Sequence, residues 1–94
     1  MSVNKIEVDV ETLRQHAKEV TKFVIGINHV CSELQAALSR FENGIDPNDA
    51  RVVHDSVTQT RNSLQGVIPE LEMMQKRILA YANYVEEVKK SLNT

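Results

Sequence analysis

The sequence predicts an all-α protein in which two long helices fold back on each other as an antiparallel hairpin. Apolar residues recur at steps of three and four over the first half of the chain, and the pattern restarts after a short polar break. Residues at that spacing stay on one face of an α-helix, and so long a face packs along a second helix. Aromatic residues make up only 4% of the 94 residues, so the core is expected to consist of aliphatic contacts between helices.

The first helix is predicted over residues 10–42, where the apolar row is unbroken. Its members are Val10, Leu13, Ala17, Val20, Val24, Ile27, Cys31, Leu34, Leu38 and Phe41. Asp9 is placed to cap this helix by accepting a backbone N–H, and residues 3–9 alternate in polarity, as in a short extended arm. Asn43 and Gly44 tolerate the left-handed conformation with which many helices end, so the turn is predicted at residues 43–46.

The second helix is predicted over residues 47–92. Asp46 is expected to cap it, and Pro47 suits the first helical position because its missing N–H would be unpaired there in any case. The apolar row comprises Ala50, Val53, Val57, Leu64, Val67, Leu71, Met74, Ile78, Tyr81, Val85, Val88 and Leu92, with Thr60 as its one polar member. Since the connection is short, the two helices should run antiparallel.

Pro69 interrupts the second helix, together with Gly66. A proline in a helix interior removes a backbone hydrogen bond and costs roughly 3 kcal/mol, so the segment could be two helices. The apolar row nevertheless keeps its phase from Leu64 to Met74, whereas a loop would release the sequence from that register. A continuous helix with a kink near Pro69 is the preferred interpretation.

Two features point to association with another polypeptide. If residues pair symmetrically about the turn, Val10 lies near residue 79 or 80, which leaves Tyr81, Val85, Val88 and Leu92 without cover from the first helix. Only the amino-terminal arm could shield part of that stretch. The first helix also carries a second apolar row beside the first, Phe23, Val30 and Ala37, which either thickens the hairpin contact or touches a neighbouring helix. We therefore expect two hairpins, either two copies of this chain or this chain with a different one, to dimerise into a four-helix bundle. We expect Phe23, Val30, Tyr81, Val85 and Val88 to bind the partner.

Other classes of function find little support. The formal net charge of −2, with basic and acidic residues intermixed, offers no basic stripe for nucleic acid. The three histidines occupy different helical faces and the three glycines lie far apart, so no catalytic, cofactor-binding or metal site is expected. Cys31 is expected to be a buried small hydrophobe, and the alternative is a thiol that is redox-active or forms an intermolecular disulfide. Without an apolar targeting or membrane-spanning segment, the chain is expected in the cytoplasm.

The layout of the chain resembles the WXG family of small type VII secretion proteins, which are helical hairpins of about this length. In that family a Trp-x-Gly turn joins the helices, and here the corresponding segment runs from Phe41 to Gly44, with Phe in place of Trp and one extra residue. The family's secretion signal is a Tyr or Phe followed four residues later by an acid. Tyr81 is followed at that distance by Val85 and Tyr84 by Val88, so the signal is absent here.

The resemblance therefore implies a variant that lacks both motifs. Such a protein would be an adaptor or targeting chaperone that binds a helical domain of a secretion substrate, such as an LXG toxin, and would leave the cell, if at all, within a complex. The alternative is a self-assembling coiled-coil module with no role in secretion.

Overall fold

A computed structural model describes residues 9–93 of the chain. It contains two helices, α1 (Val10–Glu42) and α2 (Pro47–Asn93), which pack antiparallel along their length in a rod of 72 × 18 × 15 Å. The predicted all-α hairpin is confirmed, with the helix bounds within one residue of those expected from the sequence. The predicted extended arm falls almost wholly on residues 3–8, which lie outside the described residues.

Both helices begin at the predicted caps. The Asp9 carboxylate accepts the Glu11 N–H at 3.0 Å, which satisfies a backbone donor that the first turn cannot pair internally, and it also accepts the Thr12 hydroxyl at 2.9 Å. Asp46 does the same for α2, since its Oδ1 accepts the Asn48 N–H at 2.8 Å. Pro47 occupies the first helical position, as predicted.

The predicted left-handed exit from α1 is wrong. Asn43 stays in the right-handed helical region at φ −74°, and neither Gly44 nor any other residue in the described range has a positive φ. The Gly44 N–H instead donates to the Phe41 carbonyl oxygen at 3.1 Å, which tightens the last turn of α1 before the chain leaves it. The turn residues Phe41, Gly44, Asp46 and Pro47 thus close the end of the hairpin without an unusual backbone conformation.

Pro69 does not divide α2, which runs unbroken through it. The preferred interpretation of a continuous helix is therefore confirmed, whereas the kink at Pro69 stays a prediction. Pro69 is exposed, on the side of α2 away from α1, where loss of one backbone hydrogen bond leaves a carbonyl accessible to water.

The register of the two helices differs from the one expected. Glu42 pairs with His54 at 2.8 Å and Arg14 with Glu86 at 3.1 Å. Arg14 therefore lies beside residues 83–86, whereas pairing about the turn placed even Val10 no further along α2 than residue 80. The first turn of α2 is used in closing the end of the hairpin, which shifts all later pairs along α2. Val85 is consequently buried, and the expectation that it lies uncovered is wrong. The buried side chains of the described part are Ala17, Ile27, Cys31, Leu38, Ala82 and Val85.

Candidate docking surface

One long side of the hairpin is sealed by polar contacts between the helices. Its α1 residues are separated by seven or fourteen positions and are Arg14, Thr21, Gln35 and Glu42. Their partners on α2 are Glu86, Gln75, Arg61 and His54, in that order. We call this the polar side. The Arg61 guanidinium donates to the Gln35 side-chain oxygen at 2.7 Å, and the Gln75 amide donates to the Thr21 hydroxyl. These hydrogen bonds pair polar groups that lie next to the buried apolar row, and they fix the helices at one register.

An ion pair adds to the polar side at the end of the hairpin away from the turn. The Arg14 guanidinium donates to Glu86 and also lies 3.4 Å from the Asn83 side-chain oxygen. The hydrogen bond from Arg14, followed by its positive charge, lowers the pKa of the Glu86 carboxyl below its usual value. The Arg14 and Glu86 side chains are 34% and 38% exposed, so water screens the pair. The ion pair therefore orients the helix ends more than it stabilises them.

The opposite long side is apolar and uncovered within the described residues. It carries two rows of large side chains spaced by seven, Phe23 and Val30 on α1 and Val67, Met74 and Tyr81 on α2, each between 40% and 63% exposed. We call this surface the open side. Each of these residues lies three or four positions from a residue that packs between the helices, so it borders that contact without entering it.

Two grooves show that both helices contribute to the open side. The first has a volume of about 530 Å³ and lies among Phe23, Gly26 and Val30 of α1 and Leu64 of α2. The second, of about 360 Å³, runs between Phe23 and the Met74 side chain. Shallow grooves between paired helices are the holes into which side chains of a third or fourth helix insert.

The residues predicted from the sequence as partner contacts differ in their exposure in the structure. Phe23, Val30 and Tyr81 lie together on the open side, whereas Val85 is only 4% exposed and Val88 is half-buried beside it. The shifted register explains the difference, because α1 covers Val85. Whether any of the five binds a partner stays a prediction.

Sequence reasoning missed Val67 and Met74, which it assigned to the contact between the helices. A signal was present in their spacing of seven with Tyr81, which parallels the spacing of Phe23 and Val30. The apolar face of a helix has two edges, and in a hairpin only one of them can turn toward the partner helix. The register of the two helices determines which edge that is. The predicted burial of Cys31 is confirmed, and its thiol lies 3.9 Å from the Arg61 carbonyl oxygen.

Comparisons with protein-family models, with curated proteins and with solved structures found no match to this chain. The fold is therefore described as a two-helix antiparallel hairpin, without a family. Neither described helix is long and apolar enough to cross a membrane. Residues 9–93 bring together no group of three or more side chains of the kinds that hold a metal ion.

Proposed function

We propose that this protein is a small non-catalytic helical adaptor, whose open side binds long amphipathic helices of another protein. By its resemblance to WXG proteins, that client is a type VII secretion substrate such as an LXG toxin, and the adaptor is its targeting chaperone. The observation that carries the proposal is the apolar surface formed jointly by Phe23, Val30, Val67, Met74 and Tyr81.

The regular spacing of five large, exposed apolar side chains on one side of the hairpin supports a binding role over incidental exposure. Single exposed apolar residues are common on soluble proteins, but contiguous patches of several hundred Å² usually mark interaction sites. Covering the exposed half of one large apolar side chain contributes roughly 1 kcal/mol, so a row of five offers several kcal/mol before the cost of association. The rod geometry restricts the occupant to an extended element, which for apolar residues at spacings of seven is a helix.

A matched pair of substitutions on α1 tests the proposal. Phe23 is 63% exposed on the open side and Ile25 is 62% exposed two positions along, on the opposite face. Phe23→Glu would place a carboxylate in the contact with the client and should weaken binding about 100-fold or more, whereas Ile25→Glu should leave it unchanged. Helicity by circular dichroism should be the same for both variants, because neither side chain is in the core.

The assay is co-expression with the proteins encoded beside this gene, followed by affinity co-purification and titration of the captured protein. A neighbouring toxin with a long helical amino-terminal half is the expected client. Equal binding by the Phe23→Glu and Ile25→Glu variants would show that the open side is not the docking surface. Capture of no neighbouring protein by the wild type would count against the adaptor role itself.

A further inference from the structure

The polar contacts between the two helices form two groups with a gap between them. The group away from the turn ends at the bond between Gln75 and Thr21. The group near the turn begins where the Cys31 thiol meets the Arg61 carbonyl oxygen. Within the described part of the chain, no hydrogen bond or ion pair joins the helices across this gap, so apolar packing alone holds them together there. We call the gap the middle section, and it comprises residues 22–30 of α1 and 62–74 of α2.

Both helices contain a glycine in the middle section, Gly26 in α1 and Gly66 in α2. Glycine is a much poorer helix former than alanine. Neither glycine has a positive φ, and no atom of the other helix lies within 4 Å of where a Cβ would stand. Neither backbone conformation nor close packing therefore requires a glycine at these positions, and each one weakens its helix without a compensating contact.

Pro69 weakens α2 in the same section. A proline has no backbone N–H, so the carbonyl of Gln65 lacks the helical hydrogen bond that residue 69 would otherwise donate. Sharp bends in helices occur mainly at such interruptions of the hydrogen-bond ladder. Gly66 stands three residues before Pro69, so α2 has two weak positions within one helical turn.

The weak positions of the two helices lie at the same height along the rod. The two contacts that bound the middle section are equally far from Gly26, five residues along α1 in each direction, and their midpoint on α2 is Ile68. Ile68 lies between Gly66 and Pro69, within two residues of each. The weak positions of the two helices therefore agree in height to about 3 Å, which is less than one helical turn.

From this agreement we infer that the middle section is a hinge, at which the rod bends as two stiffer segments. A weak point in one helix alone would be splinted by the intact helix beside it, so bending needs both helices to be weak at one height. Each segment contains about 24 Å of α1, from Gly26 to either end of the helix, and is fastened by its own group of polar contacts. Bending therefore leaves both groups of contacts intact and changes only apolar packing, which is non-directional.

The hinge crosses the open side. Phe23 lies on one side of Gly26 along α1 and Val30 on the other, and the groove of about 530 Å³ lies between them. A bend changes the separation of these two side chains and hence the shape of the groove, so the open side can follow the curvature of the helix that it binds. This use of the hinge rests on the proposed function, whereas the hinge itself does not.

Native-state amide hydrogen exchange tests the hinge. In the wild type, amides of the middle section should exchange at least about tenfold faster than those of the two segments, frayed helix ends aside, because the middle section opens without breaking the polar contacts. Gly66→Ala should slow exchange there about fivefold, the ratio that corresponds to the difference in helix propensity between Gly and Ala. Ser56→Ala, on the same helix but outside the middle section, should not. Equally slow exchange throughout, or equal slowing by both variants, would overturn the hinge.

Residual dipolar couplings of the backbone amides supply an independent readout of bending. The two segments of the wild type should show different magnitudes of alignment, because they reorient relative to each other. In the triple variant Gly26→Ala, Gly66→Ala, Pro69→Ala, both segments should align alike, since both helices regain normal propensity and α2 regains its missing hydrogen bond. A single common alignment of the wild type would overturn the hinge.

Failure of the hinge and failure of the adaptor function can be told apart. Pro69→Ala changes no residue of the open side, and because a stiffer rod resists bending it should weaken capture of a client about tenfold. Unchanged capture would refute the use of the hinge in binding. A uniformly stiff wild type that captures a neighbouring protein through Phe23 would refute the hinge and keep the adaptor, whereas a bending rod that captures no neighbouring protein would do the reverse.

Discussion

The burial of Val85 in the contact between the helices can be tested against a matched control on the same helix. Val85 and Val52 lie on the same helix, but Val85 is 4% exposed and Val52 is 67% exposed. Replacing either by Ala removes the same atoms and gives the same small gain in helix propensity. The difference between the two variants therefore reports burial alone.

The expected magnitude follows from packing. Removal of the buried branch of Val85 should cost about 1–3 kcal/mol, by analogy with other deletions of one or two methyl groups from a core. The better helix propensity of Ala returns about 0.5 kcal/mol, which leaves a net loss of about 1.5 kcal/mol. For a domain of this size the loss corresponds to a fall in Tm of roughly 6–12 °C. Val52→Ala should leave Tm unchanged or raise it slightly.

The assay is thermal unfolding followed by circular dichroism at 222 nm, with both variants and the wild type at one low concentration, since dimerisation would raise Tm. If Val85→Ala melts within about 2 °C of Val52→Ala, α1 does not cover Val85 and the register derived from Arg14 and Glu86 is wrong. Loss of client binding by Val85→Ala at unchanged Tm would instead support the sequence-based view of Val85 as a partner contact.

Three further predictions concern the caps, the acid end of the pH range and the thiol. Asp46→Ala should lower the free energy of unfolding by about 1 kcal/mol through loss of the cap on α2, and Asp49→Ala, which removes only a first-turn charge, should cost less in the same urea titration. Because Arg14 lowers the pKa of Glu86 in the folded state, the stabilisation is fully present above the usual carboxyl pKa and is lost as pH falls from that value through the lowered pKa of the folded state. Acidification from pH 7 to pH 3 should therefore destabilise the wild type more than Glu86→Gln, and equal losses would contradict the pairing. Cys31 should react with a thiol reagent far more slowly than an exposed thiol does, and the reaction should become faster in denaturant. A fast reaction of the native protein would show that the contact between the helices does not bury Cys31.

Much of the fold could be predicted from local features of the sequence. The unbroken spacing of threes and fours from Val10 to Phe41 determines a long helix, and Asp46 followed by Pro47 determines where the next one begins. These signals are properties of single helices and their caps, which depend on residues within one or two turns. Continuity through Pro69 was predictable for the same reason, because the phase of the apolar row is preserved across it.

The candidate surface could be predicted only in part. Phe23 and Val30 stood out as a second row on α1, and Tyr81 was named for a reason that the register does not support. Val67 and Met74 were missed because an apolar row on a helix wheel has two flanks, and their difference in exposure is invisible until the partner helix is placed.

The sequence by itself determined two helices, their ends and the apolar face that joins them, since each depends on short-range periodicity and capping. Only the tertiary structure decided the register and, with it, which flank is sealed by Arg14, Gln75 and Arg61 and which is left apolar. Register depends on how the chain crosses between helices at residues 43–50 and on contacts between residues up to 72 positions apart. A shift of a few residues buries Val85 and leaves Met74 half-exposed, so the position of the docking surface is a property of the pair of helices and not of either one.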